Sequence, residues 1–435
     1  MKRLGFSAAL VLLLCGFALG QGQFKVLYTF NGTDGQGPQF LVFGHAGDLY
    51  GTTEYGGTGA SCGAGCGTVF ELSPSNNGGW TETVLYSFCV APQCADGAGP
   101  NAGLVMDAEG DLYGSTTSGG TFGGGAVFQL SPSSGGQWTE SVLYNFCEAG
   151  QEECPDGGGP DGPLASDLEG NLYGTTFYGG SGCPIGGCGV AFELSPPSVQ
   201  GGNWTESVLY SFCTASGNGC PDGDRPSGGL TFDKEGNIYG ATQSGGTPAS
   251  KKQCEYGCGT IFKLAYGSGG WTESVLFAPS YGKGAFPLGP VTLDPKGDVY
   301  GTFSRGGKNQ DGAVFSLPEN GETAEYYFDA SVPDDYVNGG LILGSGLAYG
   351  TIYGDGGPDL PGSVFQITSA GKETVLYNFC SQTGCSDGLA PVALIRDKSG
   401  NLYGTTLFGG SSACTYPDGS CGVVFEITNP EVSFR

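Results

Sequence analysis

Apolar positions along the chain fall in short runs of five to nine residues, set off by turns rich in Gly, Pro, Ser and Asp, a pattern of strands rather than helices. Residues 103–146 show the unit most clearly. Gly103-Leu104-Val105-Met106-Asp107 predicts a first strand, closed by the turn Ala108-Glu109-Gly110, and Asp111 to Thr116 predicts a second. Ala126 to Leu130 and Trp138 to Phe146 predict the third and fourth. A phrase built on Leu-Tyr-Gly, small residues and Gly-Gly recurs with its tyrosine at Tyr50, Tyr113, Tyr173, Tyr239, Tyr300, Tyr349 and Tyr403, at spacings of 49 to 66 residues. Seven copies of a four-strand unit predict an all-β fold, a seven-bladed β-propeller of four-stranded antiparallel blades.

The chain ends support ring closure. The last copy stops after its third strand, Val423 to Ile427, while Val26 to Phe30 stands unpartnered at the start. The N-terminal strand is therefore expected to complete the last blade and remove the sheet edges that would template aggregation. Length alone, 435 residues, would allow two or three domains, but the repeat predicts one propeller domain over 21–435. A parallel β-helix would need far shorter repeats.

Composition narrows the picture. The 86 glycines follow no three-residue period, and 26 Phe, 22 Tyr and 4 Trp supply the apolar surface that a disordered chain lacks. Residues 1–20 read as a signal peptide, with Lys2 and Arg3, an apolar core from Phe6 to Phe17, and Ala18-Leu19-Gly20 at the cleavage position. Leu14 before Cys15 argues against a lipoprotein signal. The mature chain is expected to be soluble, without a membrane span, and secreted, periplasmic or at the cell surface. Its formal charge of -26, from 42 acidic and 16 basic residues, excludes nucleic acid and anionic membranes as partners.

Leu-Tyr-Gly-Thr-Thr at 49–53, Gly-Gly at 56–57 and Gly-Thr-Val-Phe-Glu-Leu at 67–72 resemble the GloVer tandem repeat of exported bacterial proteins. Residues 103–113 are also similar to the first two strands of NHL-type propeller blades. The resemblance brings no established biochemical activity with it.

Cys15 leaves with the signal, and sixteen cysteines remain in eight close couples: Cys62/Cys66, Cys89/Cys94, Cys147/Cys154, Cys183/Cys188, Cys213/Cys220, Cys254/Cys258, Cys380/Cys385 and Cys414/Cys421. An even count in tight pairs on an exported chain points to disulfides, and His45, the single histidine, argues against zinc. Four couples fall between a fourth strand and the next blade's first, and four between strands two and three. Both loop classes emerge on one face, which is expected to be rigid and elaborated. Such a face suits ligand binding, and protease resistance explains it equally well.

Asp34, Asp96, Asp156, Asp222 and Asp387 each precede Gly in the loop leading into a blade. Asp-Gly is a turn dipeptide, and five converging carboxylates would also suit Ca²⁺ or a cationic ligand. The Gly-Gly pairs read as turns needing positive φ. Trp80, Trp138, Trp204 and Trp271 read as cover for the outer blade edges or as platforms for sugar rings. No nucleophile motif with a histidine partner is present. The expected function is a monomeric binding or scaffold module for an extracellular carbohydrate or protein, with no bound cofactor apart from Ca²⁺. A polysaccharide hydrolase or lyase acting on the loop-rich face is the alternative.

Overall fold

The computed structural model describes residues 23–59, 61–147, 154–181, 188–199, 201–214, 219–246, 254–307, 310, 312–318, 336–337, 339–354, 357–414 and 421–428, with the backbone of 324–327. The signal peptide expected at 1–20 lies outside the described residues, and so does Cys183. These residues form seven antiparallel sheets, six built on sequential strands and the seventh on three sequential strands plus the N-terminal one. Blade 1 comprises Gln36–Phe43, Leu49–Tyr55, Thr68–Pro74 and Trp80–Ser87, in that spatial order from inside outward. Five further blades repeat the order, and blade 3 divides its innermost strand into Gly158–Pro160 and Ala165–Ser166. Blade 7 is closed by the N-terminal strand Gln23–Thr29, which pairs antiparallel with Val423–Thr428 and sets Val26 against Phe425. Among the described residues no helix is long and apolar enough to cross a membrane.

The repeat signature follows from the packing. A Cβ on Gly51 would lie 2.6 Å from Cζ of Phe70, its cross-strand partner, so the glycine of Leu-Tyr-Gly makes room for a buried ring. Those rings link neighbouring blades: Phe88 of blade 1 meets Phe128 of blade 2 at 4.9 Å, and Phe146 of blade 2 meets Phe192 of blade 3 at 5.1 Å, all fully buried. The four tryptophans are part-buried and cover the core clusters between blades. Trp138 of blade 2 packs edge-on against Tyr50 of blade 1 and is part-buried with the cluster between the two blades.

A bulge in the outer strand has no simple sequence signature. Val69 faces Tyr86 and Phe70 faces Val84, leaving Leu85 as an extra residue. The insertion puts Tyr86 on the opposite side of the sheet from Val84, although the two are separated by a single residue. The same shift occurs at Leu27, Leu143, Leu209, Leu276 and Leu376.

Candidate functional site

The two loop classes predicted to share a face are joined by backbone hydrogen bonds. Gly57, the second glycine of its pair at φ +79°, donates to the carbonyl of Gly32, and Gly120 donates likewise to Cys94. A Cβ on Gly56 would fall 2.6 Å from the same Gly32 carbonyl oxygen, so the Gly-Gly turn is required by this close contact. Bridges close Cys62–Cys66, Cys89–Cys94, Cys147–Cys154, Cys213–Cys220, Cys254–Cys258, Cys380–Cys385 and Cys414–Cys421, all in these loops. Cys188 is also disulfide-bonded. In the four couples that lead into a new blade both cysteines have positive φ, from +43° at Cys154 to +66° at Cys147. None of the described cysteines between strands two and three does.

Each of the five loop aspartates sits at a different junction and is engaged there. The bulge-directed tyrosine of the preceding outer strand donates to it: Tyr28 to Asp34 at 2.6 Å, Tyr86 to Asp96 at 2.9 Å, Tyr144 to Asp156 at 3.0 Å, Tyr210 to Asp222 at 2.9 Å and Tyr377 to Asp387 at 2.7 Å. Backbone N–H groups of Asn31, Val90, Cys147, Thr214 and Ser381 donate to the same carboxylates. Burial and the adjacent carboxylate push the Tyr210 and Tyr377 hydroxyls up to about 12. Where blade 4 carries Phe277 in place of the tyrosine, the following loop has Gly282-Lys283-Gly284 and no aspartate. Among the described residues these carboxylates do not gather in threes around a common point.

A second carboxylate approaches four of these junctions from the next outer strand. Glu82 faces Asp34, Glu140 faces Asp96, Glu206 faces Asp156 and Glu273 faces Asp222, and one oxygen of each glutamate is buried without a hydrogen-bond partner. Burial first, and the facing aspartate second, push all four up to about 7.

The groups that differ from blade to blade collect on the axis. A cavity of about 230 Å³ is lined from all seven blades, by Gln39, Asn101, Asp161, Ser227, Leu288, Gly339 and Val392 among others. Blades 1 to 4 contribute the polar side chains of Gln39, Asn101, Asp161 and Ser227 beside Phe40, and blades 5 to 7 contribute Leu288, Val392 and glycine backbone. Gln39 Nε2 donates to Glu54 at 3.3 Å, and the Asn101 side chain donates to Asp161. Burial raises both carboxyls above their usual range, and the Asp161 charge raises Glu54 further. Glu54 also lines a hollow of about 550 Å³ between blades 1 and 2, walled by the Cys62–Cys66 loop. On the opposite face a wider hollow of about 870 Å³ is lined by charges of both signs, with Lys263 Nζ 3.8 Å from Asp233. His45 is exposed in a turn between the first two strands of blade 1.

Sequence reasoning singled out the repeated aspartates and missed Gln39, Glu54, Asn101 and Asp161. The available signal was departure from the repeat. Glu54 occupies a position filled by Thr117, Phe177, Gln243, Ser304, Tyr353 and Leu407 in the other copies of an otherwise constant phrase.

Seven four-stranded sheets around one axis, with two loop classes stapled on a single face, define a seven-bladed β-propeller. The chain belongs to the Gloeobacter/Verrucomicrobia repeat family, whose repeat matches residues 14–248 and 156–360. No curated protein matches the sequence. Among solved structures it is similar to a streptogramin B lyase, at 14% identity and a TM-score of 0.53 over 93% of this chain and 98% of that one. It is also similar to virginiamycin B lyase from Staphylococcus aureus, at 13% identity and a TM-score of 0.51 over 93% and 99% of the two chains. The polysaccharide lyase Uly1 gives 11% identity and a TM-score of 0.51 over 91% and 90%. At these identities the likeness is one of fold.

Proposed function

We propose that this protein is an exported binding module whose ligand site is the axial mouth of the loop-rich face, and that its ligand is a neutral, hydroxyl-rich molecule of the carbohydrate class. One observation carries the reading: Gln39, Asn101 and Asp161 line one side of an axial cavity, with Glu54 behind Gln39 as its hydrogen-bond partner, while Leu288 and Val392 line the other. A sugar presents hydroxyls at its edges and C–H groups on its faces, so a half-polar, half-apolar wall complements it. Burial raises the proton affinity of both carboxyls, and a carboxyl that takes up a proton donates as well as accepts hydrogen bonds. Seven bridges and membership of a repeat family of exported proteins support a location outside the cytoplasm. Ca²⁺ held electrostatically near Asp34, Asp96, Asp156, Asp222 and Asp387 belongs to the same proposal as a secondary element.

A second reading, a polysaccharide hydrolase or lyase, is favoured by Glu54 and Asp161 coming from unlike blades with raised proton affinities, as an acid–base pair would. A glycan array probed with the mature protein, followed by turnover assays on each hit, separates the two. Binding lost in Glu54→Gln and Asp161→Asn without any turnover in the parent supports the module. Turnover abolished by either variant supports the enzyme, and hits unaffected by both variants overturn the site.

A further inference from the structure

At the junction of blades 1 and 2 two bridges from different loops lie side by side. Cys62–Cys66 belongs to the loop between strands two and three of blade 1, and Cys89–Cys94 to the loop that leads from blade 1 into blade 2. All four Sγ atoms lie within 4.8 Å of one another, with Cys66 and Cys89 buried and Cys62 and Cys94 part-buried. Sulfurs meet where both loops of a junction carry a couple, whereas Cys147–Cys154, Cys254–Cys258, Cys380–Cys385 and Cys414–Cys421 face loops without cysteine.

We propose that Cys62, Cys66, Cys89 and Cys94, once reduced, form a four-thiolate site for a soft d¹⁰ metal ion such as Zn²⁺, so that this junction is closed by two disulfides under oxidising conditions and by one metal ion under reducing ones. A ZnS₄ tetrahedron with bonds of ~2.3 Å has sulfur–sulfur edges of roughly 3.8 Å, so the four sulfurs need rearrange by only about an ångström. Sequence separations of 4 and 5 within the couples fall in the range of ordinary zinc-binding Cys pairs. The hollow of about 550 Å³ walled by Cys62 and Cys66 gives an ion access from solvent. Cys188, Cys213 and Cys220 gather in the same way at the junction of blades 3 and 4, but with a separation of 7 in the Cys213–Cys220 couple. That wider loop makes it the poorer site.

The chemistry balances with a water-soluble phosphine as reductant. Each phosphine takes an oxygen atom from water to become the phosphine oxide, while two electrons and two protons pass to one disulfide, giving two thiols. Zn²⁺ then displaces protons from the four thiols it binds. All four cysteines of the site are disulfide-bonded in the oxidised protein, so the site is redox-gated.

The test is differential alkylation of the full chain. Protein reduced with phosphine is treated with iodoacetamide with and without one equivalent of Zn²⁺, cysteines are mapped by mass spectrometry, and folding is followed by near-UV circular dichroism. Zn²⁺ is expected to slow alkylation of Cys62, Cys66, Cys89 and Cys94 together by at least tenfold, leaving Cys147, Cys254, Cys380 and Cys414 unprotected. Cys62→Ser is expected to lose the protection of Cys89 and Cys94 as well. Protection spread evenly over all couples, absent, or independent between the two couples in Cys62→Ser overturns the proposal. If reduction alone abolishes the near-UV signal, one equivalent of Zn²⁺ is expected to restore part of it in the parent and none in Cys62→Ser, and failure to do so overturns the proposal equally.

Discussion

Phe24 lies flat on Tyr377, with ring centroids 3.7 Å apart and planes 4° from parallel. It faces Ile427, the place in the ladder that Glu82 takes opposite Leu72, so the junction that closes the ring replaces a carboxylate with an aromatic ring. The seam therefore has packing where five other outer strands carry a carboxyl, at Glu82, Glu140, Glu206, Glu273 and Glu373. Phe24→Ala is expected to destabilise the fold by about 2–3 kcal/mol, somewhat less than for a fully enclosed ring. Urea denaturation checks it, and an unchanged midpoint would mean that the seam does not depend on this stack.

The tyrosine–aspartate latch has a built-in control. Tyr86→Phe removes the hydroxyl that donates to Asp96 and is expected to cost about 1–3 kcal/mol, since the acceptor is charged. Phe277→Tyr is expected to gain nothing, because no aspartate follows it. Comparable effects at the two sites would show that ring packing, rather than the latch, sets the stability.

Asp96→Asn with Asp156→Asn weakens two latches and removes two charges from the loop-rich face. A lower melting temperature is expected. Calorimetric titration of both proteins with Ca²⁺ tests the secondary element of the proposed function: heat in the parent that disappears in the double variant supports it, and equal traces withdraw it.

Glu82, Glu140, Glu206 and Glu273 titrate at about 7 in the folded chain against an ordinary value of 4.5. Between those values the folded chain holds more protons than the unfolded one, so stability falls as pH rises from 4.5 to about 7 and levels off above it. Melting temperature is expected to be higher at pH 5 than at pH 8. Replacing the four glutamates with glutamine is expected to flatten this dependence, whereas a profile as steep as the parent's would mean that other groups carry it.

Positive φ at Cys89 and Cys94 yields a prediction that inverts the usual ranking of substitutions. Replacing both with alanine removes the bridge and keeps the strained backbone, while replacing both with glycine relieves it. The glycine pair is expected to be the more stable by roughly 1–2 kcal/mol in chemical denaturation. The reverse order would show that the loop relaxes to negative φ once the bridge is gone.

Blade number, strand order and ring closure were legible because each is repeated or signalled by an omission: seven tyrosines at matched positions, and a last unit lacking the strand that Val26 to Phe30 supplies. The junction chemistry was only half legible. Asp96 stood out as a repeat, but its partner Tyr86 is directed by a bulge at Leu85 that alternation alone does not reveal. The axial groups were hidden for the opposite reason. Gln39, Asn101 and Asp161 come together through ring closure across units some sixty residues apart, and a search for what recurs passes over residues that do not.

The hydroxyl of Thr428 donates to the carbonyl of Gln23 across 405 positions of sequence. At a synthesis rate of ~5–20 residues per second, the strand made first waits roughly 20–80 s for the partner made last. Blades 1 to 6 contain their own four strands and can form as they emerge, so the final blade alone depends on a meeting of the two chain ends. During that interval Gln23–Thr29 is an unpaired edge carrying Lys25, a charge of the kind that discourages pairing with the wrong neighbour. Ring closure thereby waits on the strand Val423–Thr428, and a chain truncated before Val423 would keep six blades and leave Gln23–Thr29 unpaired.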